Sequence, residues 1–174
     1  MTASPKDLAI RPGADADGPA LRALIAGVFA EYEGCPFVDD EFPELEAPAT
    51  HYGRRSGQLW VVENGDGRVV GSLAVAATHR AGVFELFKVY LAAPVRGRGL
   101  AAGLLGMGIG HARSQGATRL VLWSDTRFVD GHRFYIRHGF HRLPGTRALH
   151  DAATTLEFGF SRDIAGPAAG AALS

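Results

Sequence analysis

The stretch from Val89 to Gly116, VYLAAPVRGRGLAAGLLGMGIGHARSQG, joins a strand pattern to a helix pattern through a loop of glycine and arginine. Its first four residues are apolar and strand-forming, and we predict that they end a buried strand. From Leu100 the pattern is typical of a helix that ends at Gly116. Glycines at such a junction let successive backbone N–H groups turn toward one point, where the positive end of the helix dipole adds to them. The junction therefore predicts an anion site, best matched to phosphate or diphosphate.

Arg96 and Arg98 lie in this loop and would add charge-assisted contacts to the same anion. The alternative, a glycine-rich turn with two solvated arginines, stays open at this point. Each glycine in an exposed helix costs about 0.8–1 kcal/mol relative to alanine. We therefore expect close packing against the predicted helix where its four internal glycines lie, at Gly103, Gly106, Gly108 and Gly110.

Periodicity in the rest of the chain predicts one α/β domain with a mixed sheet and helices on both faces. The predicted order is β-α-(α)-β-β-β-α-β-α-β-β. The first helix has Asp15 or Asp17 as its N-cap and Gly34 as its stop, and the last helix ends at Gly139. The predicted strands lie in DLAIRPG, the hairpin QLWVVENGDGRVVGSLAVAATH, GVFELFKVYLA, TRLVLWSD and, as two final strands, HRLPGTRALHDAATTLEFGF.

Composition restricts the functional class. The chain has 174 residues, 47% of them hydrophobic and 21% charged, and a formal net charge of zero, so we expect a globular protein that binds no nucleic acid. Its one cysteine, Cys35, allows no intrachain disulfide. The longest apolar run, Leu100 to Ile109, is too short and too rich in glycine to cross a bilayer.

The N-terminus lacks the apolar segment of a signal peptide, so we expect a cytoplasmic protein without a membrane partner. Residues 1–164 are predicted to form the single domain. The low-complexity residues 165–174 are predicted to be a disordered tail.

The sequence of this loop can be compared with the phosphate-binding motifs of two protein families. GRGLAA from Gly97 matches the dinucleotide fingerprint formally, with Asp125 at the end of the next strand. However, three residues separate it from its strand, an antiparallel hairpin precedes it, and too little chain follows for a second nucleotide-binding half. An NAD(P)-dependent enzyme is therefore the weaker interpretation.

The loop more closely resembles the central motif of the GNAT superfamily of N-acetyltransferases, Q/R-x-x-G-x-G/A. When the two glycines of the motif are aligned with Gly97 and Gly99, Pro94 stands where the family usually has Gln or Arg. When the motif is instead aligned with the six residues from Arg96 to Ala101, every position matches formally. GHRFYIRHGF resembles a second motif of the family, A-x-x-x-Y-x-x-x-G-F. Tyr135 is in position, Gly131 replaces the Ala, and Phe128 replaces an Asn often found upstream.

The resemblance covers the element order from about residue 8 to residue 160. It implies a GNAT-like acyl-CoA N-acyltransferase fold, with a central, mostly antiparallel sheet and helices on both faces. It also implies acetyl-CoA as acyl donor, a small-molecule or peptide amine as acceptor and no metal, and it allows a homodimer.

By this resemblance, an amine attacks the acetyl thioester through a tetrahedral intermediate and expels the CoA thiolate. Glu85 is the candidate general base, directly or through water, and Tyr135 is the candidate acid. A half-buried surface glutamate is an equally weighted interpretation of Glu85, with Asp125 and His79 as further candidate bases.

The resemblance also implies the cofactor contacts. N–H groups near Leu91 would polarise the thioester carbonyl, and the main chain of Tyr90 and Leu91 would pair with pantetheine. The histidines lack the spacing of metal ligands, and we expect them at the surface, at His132, His138, His141 and His150. The diphosphate would be surrounded by Arg96, Gly97, Arg98, Gly99, Leu100 and Ala101.

Members of the family commonly form the acceptor pocket from the segment after the first helix, which here is acidic and aromatic, from Glu31 to Tyr52. Its seven carboxylates would favour a cationic amine, although a solvated acidic loop is the alternative. A non-catalytic CoA-binding module remains a competing hypothesis. The candidate acceptor-binding residues are Glu31, Phe37, Asp39 and Asp40.

Overall fold

The protein, described here by a computed structural model over residues 7–166, is built on one eight-stranded sheet. The strand order is β1-β2-β3-β4-β5-β8-β6, and β7 also pairs with β8. Neighbouring strands are antiparallel except β4 and β5. The strands are β1 (Ala9–Pro12), β2 (Gln58–Glu63), β3 (Val69–Ala77), β4 (Val83–Leu91), β5 (Arg119–Asp125), β6 (His141–Arg142), β7 (Arg147–Ala148) and β8 (Leu156–Asp163).

Four helices cover the two faces of this sheet: α1 (Gly18–Phe29), α2 (Pro48–Gly53), α3 (Leu100–Ser114) and α4 (Val129–Arg137). The α/β fold with a mostly antiparallel sheet is therefore confirmed. Over residues 7–166 only β4 and β5 are parallel, so the parallel series of a dinucleotide-binding fold does not occur there. None of the helices in this range has the length and apolar character needed to cross a membrane.

Two apolar cores lie on opposite faces of the sheet. On one face, α3 and α4 pack against inward side chains such as Leu86 and Leu122. On the other face, α1 and α2 pack against Val61 and Ala74. Side chains alternate between the faces along each strand, so the residue after a core residue of one face points to the other.

The pairing of β4 is interrupted in two ways. Lys88 has a φ of 53°, and the register with β3 shifts beside it, which is a β-bulge. The Ser72 hydroxyl donates a 2.6 Å hydrogen bond to the Lys88 carbonyl and holds this bend. On the other edge, β4 pairs with β5 only from Val83 to Glu85. Beyond Glu85 the two strands diverge and leave a gap in the middle of the sheet.

The glycines of α3 are only partly explained by close packing. A methyl group at Gly108 would lie 3.0 Å from Leu73 Cδ2, and one at Gly103 would lie 3.7 Å from Ile10 Cδ1. At Gly106 and Gly110 the same methyl group would meet nothing within 4 Å. The expectation of close packing is therefore right at Gly108 and wrong at Gly106 and Gly110.

Several predicted boundaries differ from the structure. The first helix ends at Phe29, and Gly34 lies in a later turn with a φ of 71°. Asp17 is the N-cap residue of this helix, as predicted, but its side chain does not cap the helix: it accepts hydrogen bonds from Arg11 and from the Ala14 amide. Asp15 accepts two hydrogen bonds from Thr50. The two final strands are one long strand, β8, with the short pieces β6 and β7 beside it. Most of the predicted disordered tail, 165–174, lies outside the described residues.

Candidate active site

The gap between β4 and β5 connects two cavities. A cavity of about 580 Å³ lies on the side of α3 and α4, next to the glycine–arginine loop. A second cavity of about 300 Å³ lies on the side of α1 and reaches the segment that follows that helix. The residues that line both cavities mark the place where they meet, and they are Val89, Tyr90, Ser124, Phe128 and Tyr135.

The loop beside the larger cavity has the geometry expected of an anion site. Gly97 and Gly99 have φ values of 74° and 78°, and Gly99 is the N-cap of α3. The amides from Gly97 to Ala102 donate to no backbone carbonyl within residues 7–166. A side-chain carbon added at either glycine would meet nothing within 4 Å, so the loop is not filled by its own neighbours. A run of unpaired amides at a helix N-terminus fits a diphosphate.

The two arginines of the loop differ in their surroundings. Arg96 lines the larger cavity, but its Nη1 lies 2.8 Å from Glu31 Oε2 and its Nε donates a 3.0 Å hydrogen bond to the Leu91 carbonyl. Arg98 is exposed and does not line the cavity. Of the other predicted cofactor residues, Tyr90, Leu91, Gly97, Gly99, Leu100 and Ala101 all line it. The loop backbone thus faces the cavity more directly than its guanidinium groups do.

Tyr135 lies on α4 and lines both cavities at the place where they meet. It is 7% exposed and packs at 5.6 Å from Phe160 and 5.8 Å from Phe140, measured between ring centroids. Burial raises the pKa of the Tyr135 hydroxyl above its ordinary value of 10. The phenol therefore stays protonated at neutral pH, as an acid must before it acts.

Glu85 is the last residue of β4 that pairs with β5, opposite Val121. Its neighbours Phe84 and Leu86 belong to the core under α3, so Glu85 points to the other face and lines the smaller cavity. Burial raises the pKa of the Glu85 carboxyl above 4.5; Arg147 and Arg55 oppose that rise. A carboxylate with a raised pKa in the smaller cavity has the properties of a general base.

The other candidate bases are placed less well. The Asp125 carboxylate accepts hydrogen bonds from the backbone N–H and the side chain of Arg127, with Nη2 2.7 Å from Oδ2. This ion pair holds the Asp125 carboxylate in place. His79 is exposed in the turn between β3 and β4 and lines neither cavity.

The segment predicted to bind the acceptor does line the smaller cavity, but through other residues than those predicted. Glu31 pairs with Arg96, and Asp39 pairs with Arg22. Phe37 stacks on Phe42 with their ring centroids 5.1 Å apart. Within the segment, the residues that line the cavity are Cys35, Pro36, Glu41, Phe42 and Glu44. Glu31, Phe37, Asp39 and Asp40 do not line it.

Further along the chain, residues that the sequence did not indicate complete the smaller cavity, including Arg147, Leu149, Asp151 and Glu157. They come from β7, β8 and the loop between them. No motif marks them, because their position depends on how β8 pairs with β5 across the sheet.

Each cation of the smaller cavity is paired with a carboxylate: Lys88 with Glu44, Arg127 with Asp125 and Arg147 with Glu157. Three further carboxylates line the cavity without a cation within ion-pair distance among the described residues. They are Glu41, Glu85 and Asp151. The cavity therefore has an excess of negative charge.

Two histidines expected at the surface lie at the site. His132 is half-buried on α4, and its Nε2 lies 3.1 Å from Ser124 Oγ and 3.0 Å from the Asp125 carbonyl oxygen. His138 is half-buried and lines the larger cavity. His141 and His150 are exposed, as expected. Within the described range, no group of three His, Cys, Asp or Glu side chains is arranged to hold a metal ion.

Known proteins resemble the chain in sequence. The family model described as the acetyltransferase (GNAT) family matches residues 25–140, a range that contains the loop, the diverging strands and α4. The chain is 31% identical over 134 residues to the uncharacterized N-acetyltransferase YjgM of Escherichia coli strain K12. That match covers 73% of this chain and 78% of the relative.

Solved structures share the fold. A GNAT-family acetyltransferase of Staphylococcus aureus Mu50 superposes with a TM-score of 0.77 at 21% identity, over 91% of this chain and 99% of the other. The ribosomal-protein-alanine N-acetyltransferase of Brucella melitensis superposes with a TM-score of 0.68 at 22% identity, over 89% and 99%. Members of this family transfer acyl groups from acyl-CoA. The chain belongs to the GNAT acetyltransferase family and is an acyltransferase.

Proposed function

We propose that the protein transfers the acetyl group of acetyl-CoA to a primary amine by direct attack, with Glu85 as base and Tyr135 as acid. The observation that supports this most strongly is the meeting of two cavities in the gap of the sheet. Glu85 lines only the smaller cavity, on the proposed acceptor side, and Tyr135 lines both cavities where they meet. A base and an acid on opposite sides of one passage fit a reaction in which one substrate enters from each face.

The larger cavity fits the acyl donor. Its diphosphate would accept hydrogen bonds from the unpaired amides between Gly97 and Ala102. The pantetheine arm would follow β4 at Tyr90 and Leu91 on the edge that faces β5, which divergence of the two strands leaves unpaired, while the other edge of β4 stays paired with β3. An N–H group near Leu91 would polarise the thioester carbonyl. Arg96 would reach the donor after leaving Glu31.

Bound acetyl-CoA supplies the thioester. A free alkylammonium has a pKa near ~10.4, so it must lose a proton before it can attack. Glu85 takes that proton, directly or through water. The amine nitrogen forms a bond to the carbonyl carbon, the bond from carbon to sulfur breaks, and Tyr135 gives its proton to the departing thiolate. The nitrogen, positively charged after the attack, then loses its second proton, which restores the Tyr135 phenol directly or through water.

The acceptor is an amine that carries a second positive charge. Support comes from the excess of carboxylates in the smaller cavity, where Glu41 and Asp151 have no cation of residues 7–166 within ion-pair distance. Glu41 Oε1 accepts a hydrogen bond from the Ala152 amide and Asp151 Oδ1 accepts one from Thr155, which fixes both carboxylates. A fixed pair of carboxylates favours a cation through steering and binding.

The test is thiol release from acetyl-CoA with a panel of amines, amino acids, polyamines and aminoglycosides. Cadaverine and aminopentanol form a matched pair that differs in the second charge. We expect cadaverine to give the larger kcat/KM at low salt, with a difference of about tenfold that shrinks as salt screens the carboxylates. Equal values at low salt would contradict the cationic acceptor.

Variants separate the charge effect from the reaction. Glu41→Gln should reduce kcat/KM for cadaverine and leave that for aminopentanol unchanged. Glu33→Gln, an exposed residue that lines neither cavity, is the matched control. If coenzyme A binds by calorimetry but no amine releases thiol, the protein is a binding module. Thermal stabilisation by NAD(P) and not by coenzyme A would overturn the donor assignment.

A further inference from the structure

Ser124 brings a third side-chain hydroxyl to the junction of the two cavities, beside those of Tyr90 and Tyr135. It is 8% exposed and lies near the end of β5, after the apolar residues Leu120 and Leu122. A buried hydroxyl in such surroundings costs free energy unless it is hydrogen-bonded. The transfer proposed for Glu85 and Tyr135 gives this hydroxyl no role.

His132 determines how the Ser124 hydroxyl is oriented. Its Nε2 contacts both the Asp125 carbonyl oxygen and Ser124 Oγ, and a carbonyl oxygen can only accept. Nε2 therefore carries the hydrogen, and Ser124 Oγ receives a share of it. The imidazole packs 5.4 Å from the rings of Phe158 and Phe160, and burial lowers the pKa of His132, so it remains neutral.

Because Ser124 Oγ accepts from His132, its own hydrogen is available for another acceptor. None of the described groups accepts it. Leu120 and Leu122 belong to the core under α3 and α4, so alternation places Ser124 on that face, where His132 also lies. The free hydrogen is thus on the acyl-donor side of the junction, the side to which Tyr135 belongs.

We propose that Ser124 is a further catalytic residue, whose hydroxyl donates a hydrogen bond to the sulfur of the acyl donor while His132 positions it. As the bond from carbon to sulfur breaks, the electron pair moves to sulfur, and the hydrogen bond from Ser124 stabilises that charge. Tyr135 supplies the proton, and Ser124 keeps its own. The inference rests on the proposed function.

The first experiment measures the bound thiol without turnover. The thiol pKa of bound coenzyme A is read from the ultraviolet absorbance of its thiolate, against S-methyl coenzyme A as blank. Ser124→Ala should raise that pKa by about one unit, the worth of one hydrogen bond to a charged group. Ser124→Thr, which keeps the hydroxyl, should leave it near the wild-type value. His132→Phe, which keeps the ring and removes the donor, should raise it by less than Ser124→Ala.

The second experiment measures turnover with the fastest amine of the panel. Ser124→Ala should lower kcat about tenfold, with the calorimetric Kd of coenzyme A unchanged. Ser161→Ala is the matched control, since Ser161 is a buried serine of β8 that lines neither cavity. The inference is overturned, and the proposed function is not, if Ser124→Ala leaves the thiol pKa unchanged. The same holds if the loss of kcat in Ser124→Ala is matched by a loss of coenzyme A binding. Absence of turnover by the wild-type protein removes the proposed function and the inference together.

Discussion

Replacing Tyr135 by phenylalanine removes one hydroxyl and keeps the ring contacts with Phe140 and Phe160. Because burial raises its pKa, the wild-type hydroxyl is a protonated acid at neutral pH. We expect kcat to fall about 100-fold, the lower end of what a general acid contributes, which corresponds to about 2.7 kcal/mol. The Kd of coenzyme A should change less than about twofold, since the diphosphate contacts belong to the loop. The free energy of unfolding should change by no more than about 1 kcal/mol.

The assays are thiol release with the fastest amine, calorimetry with coenzyme A, and unfolding in denaturant. Tyr52→Phe is the matched control, because Tyr52 is 2% exposed and lines neither cavity. Tyr135→Ala should lose about 3–5 kcal/mol of stability, as truncation of a buried aromatic ring does. The acid role is refuted if Tyr135→Phe keeps kcat within about threefold of the wild type, or if binding and turnover decline together.

Four further predictions concern Glu85, the glycines of α3 and the Arg96–Glu31 ion pair. Because the pKa of Glu85 is raised, the acid limb of the pH profile of kcat/KM should lie above pH 4.5, and kcat/KM should fall as the pH falls through that limb. The variant Glu85→Gln should remove the limb. Since burial disfavours ionised Glu85, the same variant should gain stability over the wild type at neutral pH and lose this gain in acid. Gly106→Ala should stabilise the protein by about 1 kcal/mol and Gly108→Ala should not, which denaturant midpoints will show. The ion pair between Arg96 and Glu31 is partly exposed, so little stability is lost when Glu31→Gln breaks it and releases Arg96. The calorimetric Kd of coenzyme A should then decrease by about two- to fivefold. An increase in this Kd would show that the ion pair supports the binding site.

The conformation of the glycine–arginine loop was predictable because its geometry is local. Gly97 and Gly99 adopt the positive φ that only glycine tolerates easily, and a helix begins directly after them. The hairpin of β2 and β3 was predictable for a similar reason, since Asn64 to Gly67 is a strong turn sequence. Tyr135 was found through a motif whose spacing is set by one short helix.

The residues that depend on distant pairing were not predictable. The bulge at Lys88 is a non-glycine residue at positive φ, which no local pattern indicates. The carboxylates of the smaller cavity depend on how the segment after α1 crosses β4, so the sequence indicated the segment and not Glu41 or Glu44. His132 was expected at the surface because its burial arises from the aromatic side chains of β8, which lie beyond α4 in the chain.

Hydrogen exchange of the backbone amides from Gly97 to Ala102 tests the central claim most directly. In the absence of ligand these amides donate to no backbone carbonyl of the described residues, so they should exchange quickly. Saturating coenzyme A should slow their exchange, and pantetheine, which lacks the diphosphate, should leave it fast. Unchanged exchange at these amides in protein that calorimetry shows to be saturated with coenzyme A would contradict the account.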